Sequence, residues 1–175
     1  MEIKERPTTK GRVKVFKNFH SGNLKLLTTF WKSKRKKETF YSMWCEKLIN
    51  NLLGEPQLNT HNLIVNSGLN VYPILLQNQT VPTISVAIGT DNTAEAVTQT
   101  ALGGQVAVDN SPSASASGTD CVIYAIIGAG WSGTFYEFGL FIGGYLHSRI
   151  VDAVGNTKAA DEPIVIQWTL SYARG

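Results

Sequence analysis

The segment from Asp120 to Ile142, DCVIYAIIGAGWSGTFYEFGLFI, constrains the fold most. In an extended chain Cys121, Ile123, Ala125 and Ile127 share one face, and Val122, Tyr124 and Ile126 share the other. Successive strand side chains point to opposite faces, so a run apolar on both must be covered on both. After the glycines, Phe135, Glu137, Gly139 and Phe141 alternate with Tyr136, Phe138, Leu140 and Ile142. Two such runs joined by a glycine-rich turn predict a hairpin, and one this apolar needs further strands as cover.

The same segment holds a misleading motif. Gly128, Gly130 and Gly133 match GxGxxG, and Asp152 follows at about the spacing of a ribose-binding acid. Dinucleotide binding requires a helix to begin at the last glycine, so that its N-terminal N–H groups meet the pyrophosphate. Thr134 to Ile142 is rich in aromatic and β-branched residues and has period two, which reads as a strand. The glycines are expected to serve a turn.

Charge divides the chain. Residues 1–50 hold 13 Lys+Arg against 4 Asp+Glu, a net +9, whereas residues 51–175 hold 3 against 9, a net −6. Such asymmetry points to a basic arm on a separate body. The expected division is a basic N-terminal arm over residues 1–54, with a helix near 39–53, and a body over residues 55–175. Within the arm, Arg12 to Asn18 alternates basic with apolar residues, as a short strand does, and Leu24 to Trp31 could return beside it. Phe40, Trp44, Leu48 and Leu52 are spaced four apart, with Gly54 at the position of a C-terminal cap. Lys32, Lys34, Arg35, Lys36 and Lys37 form the densest charge run. They are the candidate partner-binding residues, for an acidic protein surface or for proximity to nucleic acid. The alternative is a solvated loop. No aromatic interrupts the run, so base stacking is not suggested.

The body reads as about six strands with turn signals between them. They fall near residues 62–66, 83–89, 105–109, 120–142, 145–151 and 163–173. A helix is expected to start near Asn70, because Pro73 fits a helix's first turn. Asn110 to Gly118 reads as a small-residue loop, and Gly155 to Lys158 as a turn. The fold class is therefore mainly β: an antiparallel β-sandwich, with a jelly roll as a variant, carrying the arm and one or two short helices.

Chemistry is sparse. His20, His61 and His147 stand apart, so no metal ligand set is expected. Cys45 and Cys121 are too few for a disulfide framework and read as reduced, packed thiols. Ser132 lacks the helix that follows a GxSxG elbow. Trp31, Trp44, Trp131 and Trp168 are scattered, so no sugar-stacking row is evident. Glu137 is the singular acid on an apolar strand. Burying it unpaired would cost several kcal/mol or shift its pKa, so it is expected to be a buried structural acid bonded to a nearby loop. No catalytic residue, cofactor or metal is expected, and no apolar run reaches the ~18 residues of a membrane span. The N-terminus lacks the apolar region of a secretory signal, which suggests synthesis in a cytoplasm.

Five motifs in order carry a resemblance: Asn62-Leu-Ile-Val-Asn-Ser-Gly-Leu69 with Leu75-Leu76, Ile84-Ser-Val-Ala-Ile-Gly-Thr90, Thr100-Ala-Leu102, Glu137-Phe-Gly-Leu-Phe141, and Leu146-His-Ser-Arg149 with a closing Ile166-Gln-Trp-Thr-Leu170. In this order they resemble a family of tailed-bacteriophage virion structural proteins of the tail-fibre, baseplate and minor-component type. The resemblance spans about two-thirds of the chain and leaves residues 1–54 outside it. It implies a non-enzymatic assembly component, located in the virion and assembled in the host cytoplasm. Its partners would be other virion proteins and further copies around a symmetry axis. The alternatives are a capsid decoration or head-associated protein with its basic arm near DNA, and a receptor- or carbohydrate-binding fibre module.

Overall fold

The computed structural model describes residues 8–17, 52–53, 56–78 and 81–173. In chain order the elements are β1 (Thr8–Phe16), β2 (Leu58–His61), β3 (Leu63–Ile64), helix α1 (Asn66–Asn78), β4 (Ile84–Gly89), β5 (Gln105–Asp109), β6 (Ser113–Ser117), β7 (Asp120–Ile127), β8 (Gly133–Ile142), β9 (Tyr145–Lys158) and β10 (Ile164–Ala173). They build two five-stranded sheets, β2-β1-β10-β7-β6 and β3-β9-β8-β4-β5. Every pairing is antiparallel. The inner faces share one core, where Val13, Ile123, Ile166 and Trp168 of the first sheet pack with Val86, Ile88, Phe138 and Leu140 of the second. This is the expected antiparallel β-sandwich. The winding is not that of a jelly roll, because β4–β5, β6–β7 and β8–β9 are each neighbours within one sheet.

The stretch that anchors the sequence reading is divided between the sheets. β7 pairs with β10 and β6, and β8 pairs with β4 and β9, so they are not a hairpin. Their connection must cross the roughly 10 Å between stacked sheets. Gly130 (φ 116°) and Gly133 (φ 146°) give it the left-handed backbone it needs. The Gly130 N–H bonds Ala160 O in the neighbouring β9–β10 connection. The buried Lys158 ammonium ties the two crossings together, donating at 3.0 Å to both Trp131 O and Ala159 O. Gly133 opens a strand, and the GxGxxG spacing serves this corner.

The division at residue 54 does not describe β1. Thr8–Phe16 pairs with β10 over nine residues and with β2 on its other side, so it is an interior strand of the body. Val13 and Val15 are fully buried in the core. The basic residues disguise this: Arg12 and Lys14 alternate with the valines and take the outer face. β2 begins at Leu58, close behind that boundary, and pairs with β1 across it. Leu52 and Leu53 are helical and pack on the outer side of the first sheet against Phe16, Val122, Tyr124 and Val165. The remainder of the expected helix, the strand over 24–31 and the basic run lie outside the described residues.

Three local departures have physical causes. α1 begins at Asn66, so Pro73 is interior. The carbonyl it leaves unbonded belongs to Leu69, four residues earlier, and both residues are exposed, so water can serve that carbonyl. Ser113–Ser117, expected as loop, is a strand because β7 supplies its ladder. The expected turn at Gly155 lies inside β9, where the register jumps from Glu137↔Val151 to Phe135↔Asn156. That irregularity breaks the alternation of β8, so Phe135 joins the core with Phe138.

Candidate functional site

The outer face of the second sheet holds the densest polar cluster among the described residues. Glu137 on β8 and Arg149 on β9 point out of the sandwich, yet both are fully buried. Residues 90–104, the connection between β4 and β5, lie across them. Gly89 is opposite Glu137 on β4, and Gly139 is opposite Arg149 on β8. A Cβ at Gly89 would run into the Glu137 carboxylate, and one at Gly139 into Leu102 and Phe141. The glycines leave the room that the charged side chains and the crossing segment fill.

The bonding is nearly complete. Glu137 Oε1 accepts Gly104 N–H at 2.7 Å and, at 3.4 Å, Asp91 N–H. Glu137 Oε2 accepts Gly103 N–H at 3.1 Å and Arg149 Nε at 2.8 Å. Arg149 Nη1 donates to Thr93 O at 2.8 Å and Gln99 Oε1 at 3.2 Å, and Nη2 donates to Asp91 Oδ2 at 3.0 Å. A carboxylate offers about four acceptor sites and a guanidinium about five donors, so little capacity is left. Thr93 donates its hydroxyl and N–H to Asp91 Oδ1. These bonds, with a smaller contribution from Arg149, hold the Asp91 carboxyl below the usual range. Glu95 Oε1 accepts Val151 N–H from the sheet at 2.6 Å.

Apolar contacts secure the same segment. Leu102 packs with Val65, Ala87, Leu146 and the half-buried Phe141 on this outer face. Beside them α1 abuts β9: Ser67 Oγ donates to Leu146 O at 2.7 Å, and Val65 N–H to His147 O at 3.1 Å. A Cβ at Gly68 would strike the His147 backbone, so the helix can approach this closely only with glycine there. His147 is fully buried, and burial lowers its pKa from 6.5 to about 4. Its Nδ1 lies 3.3 Å from Ser148 Oγ.

Sequence reasoning selected Glu137 and its role as a buried acid bonded to a loop. It missed Arg149, Asp91 and Gly103–Gly104. A signal for Arg149 was present: it is one of three Lys+Arg in residues 51–175, twelve residues from the one acid on an apolar strand. Lys32, Lys34, Arg35, Lys36 and Lys37 lie outside the described residues. Cys121 is unpaired on β7, and burial raises its thiol pKa. Among the described residues no group of three or more His, Cys, Asp or Glu is arranged to hold a metal, and no helix is long and apolar enough to cross a membrane. No family model matches the chain, and no curated protein or solved structure matches it significantly.

Chemically the cluster is a clamp. It fastens a polar fifteen-residue crossing segment to a sheet by buried charge, with the carboxylate already fully engaged by N–H donors.

Proposed function

We propose that the chain is a structural component of a tailed-phage virion, assembling through subunit contacts in the tail, baseplate or neck. One observation supports this reading most. The motifs that carry the resemblance are dispersed from Asn62 to Leu170; the closing Ile166–Leu170 lies in β10 of the other sheet, yet residues from each of the five motifs converge on the clamp. Val65, Ala87, Leu102, Phe141 and Leu146 form its apolar part, and Gly89, Glu137 and Arg149 its polar part. The shared residues thus maintain one rigid outer face, which suits a building block used for its shape.

Assembly works by burying apolar surface between copies, while charge fixes register. Lys32, Lys34, Arg35, Lys36 and Lys37 are the proposed contact with an acidic neighbour. A head-associated position near DNA is the second reading, and the +9 balance of residues 1–50 favours it over a receptor module.

Replacing those five residues by Gln tests the assignment. Occupancy of the chain in purified particles should fall at least tenfold, and wild-type occupancy should decline as salt rises. Unchanged occupancy would show the run to be a solvated loop. Cryo-electron microscopy of the particles should find the chain in the tail or neck, and its absence from particles would overturn the virion reading.

A further inference from the structure

We propose that β6 is a self-pairing edge, along which two copies of this chain join antiparallel and fuse their first sheets into one. The inference deepens the oligomeric part of the reading above and names the contact.

β6 closes its sheet, with β7 on one side and no strand on the other among the described residues. Its second side therefore carries a row of backbone N–H and C=O groups, the template onto which another strand adds. Ala114 and Ala116 are exposed, and among the described residues nothing pairs along this edge. Sheet proteins ordinarily guard such edges with charge, proline, bulges or very short strands. Two other edges here are guarded. β3 is two residues long and leads straight into α1. β5 pairs through a register shift at Ile88/Gly89 and ends in Asp109, whose carboxylate turns back to the Ser111 and Ile126 N–H groups. β6 has an unbroken register, no charge and no internal proline.

The sequence of β6 selects the occupant. Ser-Ala-Ser-Ala-Ser reads identically in both directions. Antiparallel pairing about Ser115 sets Ser113 against Ser117 of the partner subunit and Ala114 against Ala116 of the partner subunit. Ser115 then meets its own copy on a two-fold axis. Such a contact is isologous, as a closed dimer requires. The boundaries set the register. Pro112 has no N–H to offer, and Gly118 (φ 59°) turns the chain away, so any slip loses pairs at both ends. Five residues bury less than the ~1,600 Å² of a standard interface, so the pairing depends on concentration and is reinforced where copies are held together.

Single cysteines read this register directly. In a Cys45→Ser, Cys121→Ser background, Ser115→Cys puts two thiols opposite one another, with the Cα separation of about 4.5–5.5 Å that a disulfide accepts. Ser113→Cys leaves its two copies four residues apart along the strands, on the order of 13 Å, beyond reach. Under mild oxidation Ser115→Cys should form a covalent dimer at least tenfold faster than Ser113→Cys. Adding Ala114→Lys together with Ala116→Lys, which sets lysine opposite lysine in this register, should slow it at least tenfold. Equal rates for the two cysteines, or no effect of the lysines, would overturn the proposal and leave the edge to a different strand. Failure here with normal incorporation into particles would remove the edge pairing alone. Loss of incorporation with intact cross-linking would remove the virion reading alone.

Discussion

Arg149 Nε donates to Glu137 Oε2 at 2.8 Å between adjacent strands of the sandwich, with neither side chain exposed. The pair lies on the outer face of its sheet and is buried by the 90–104 crossing, whose carbonyl and N–H groups complete its bonding. Breaking a buried pair by removing one partner typically costs about 3–5 kcal/mol, because the other charge stays buried without compensation. Arg149→Met should therefore destabilise by about that amount in urea unfolding at neutral pH. Adding Glu137→Gln should recover at least 1 kcal/mol of it, roughly the lower range for coupled sites. A strictly additive double variant would show that the two groups act independently.

The glycines beneath the clamp make a separate prediction. A methyl group at Gly89 would meet the Glu137 carboxylate. A side-chain terminus ordinarily yields, but here backbone N–H groups and a guanidinium hold it. Gly89→Ala should cost about 1–3 kcal/mol, the usual range for overpacking. Gly128→Ala is the control, since its Cβ would enter open space. It should change stability by less than about 0.5 kcal/mol.

His147 gives the fold a pH dependence above the range of its carboxylates. Burial holds its folded-state pKa near 4 against 6.5 for the free side chain. The unfolded chain therefore takes up a proton first as pH falls, and stability drops between pH 6.5 and pH 4. The loss should be on the order of 2–3 kcal/mol by pH 4.5, read from urea midpoints. Asp91 acts in a lower window: its folded pKa lies below 3.8, so its contribution is lost only as pH falls past that value. His147→Gln should flatten the upper window and leave the lower one. A persisting slope between pH 6.5 and 4 would assign it to another group.

The sequence made the sandwich legible because β4 and β10 alternate and β7 and β8 are apolar on both faces. It made Glu137 legible because a lone acid among aromatics demands donors. What it hid has specific causes. The 90–104 crossing carries no such signal: Glu137 is held there by backbone N–H groups, and the side chains that reach the sheet, Asp91, Glu95, Gln99 and Leu102, follow no strand or helix period. β6 reads as loop because serine and alanine have weak strand preference, so tertiary pairing with β7 decides. Phe135 lies on the face its position does not predict, because the β9 irregularity shifts the phase of β8. β7 and β8 read as partners because two apolar runs and a glycine turn look alike whether the chain returns in one sheet or crosses to another.

The placement of β1 decides how the N-terminal charge must be tested. Arg12 and Lys14 belong by charge to the basic segment, and Val13 and Val15 belong by packing to the core. Removing residues 1–17 would open the ladder of β10 over nine residues and take Val13 and Val15 out of the core beside Trp168. Such a truncation should fail to give soluble folded protein, whereas replacing Lys32, Lys34, Arg35, Lys36 and Lys37 by Gln should shift Tm by less than about 2 °C, which is at most about 1 kcal/mol in a chain of this length. Circular dichroism melts of the two variants check both statements. A truncated chain that still melts cooperatively with strand signal would mean that β10 finds adequate cover without β1.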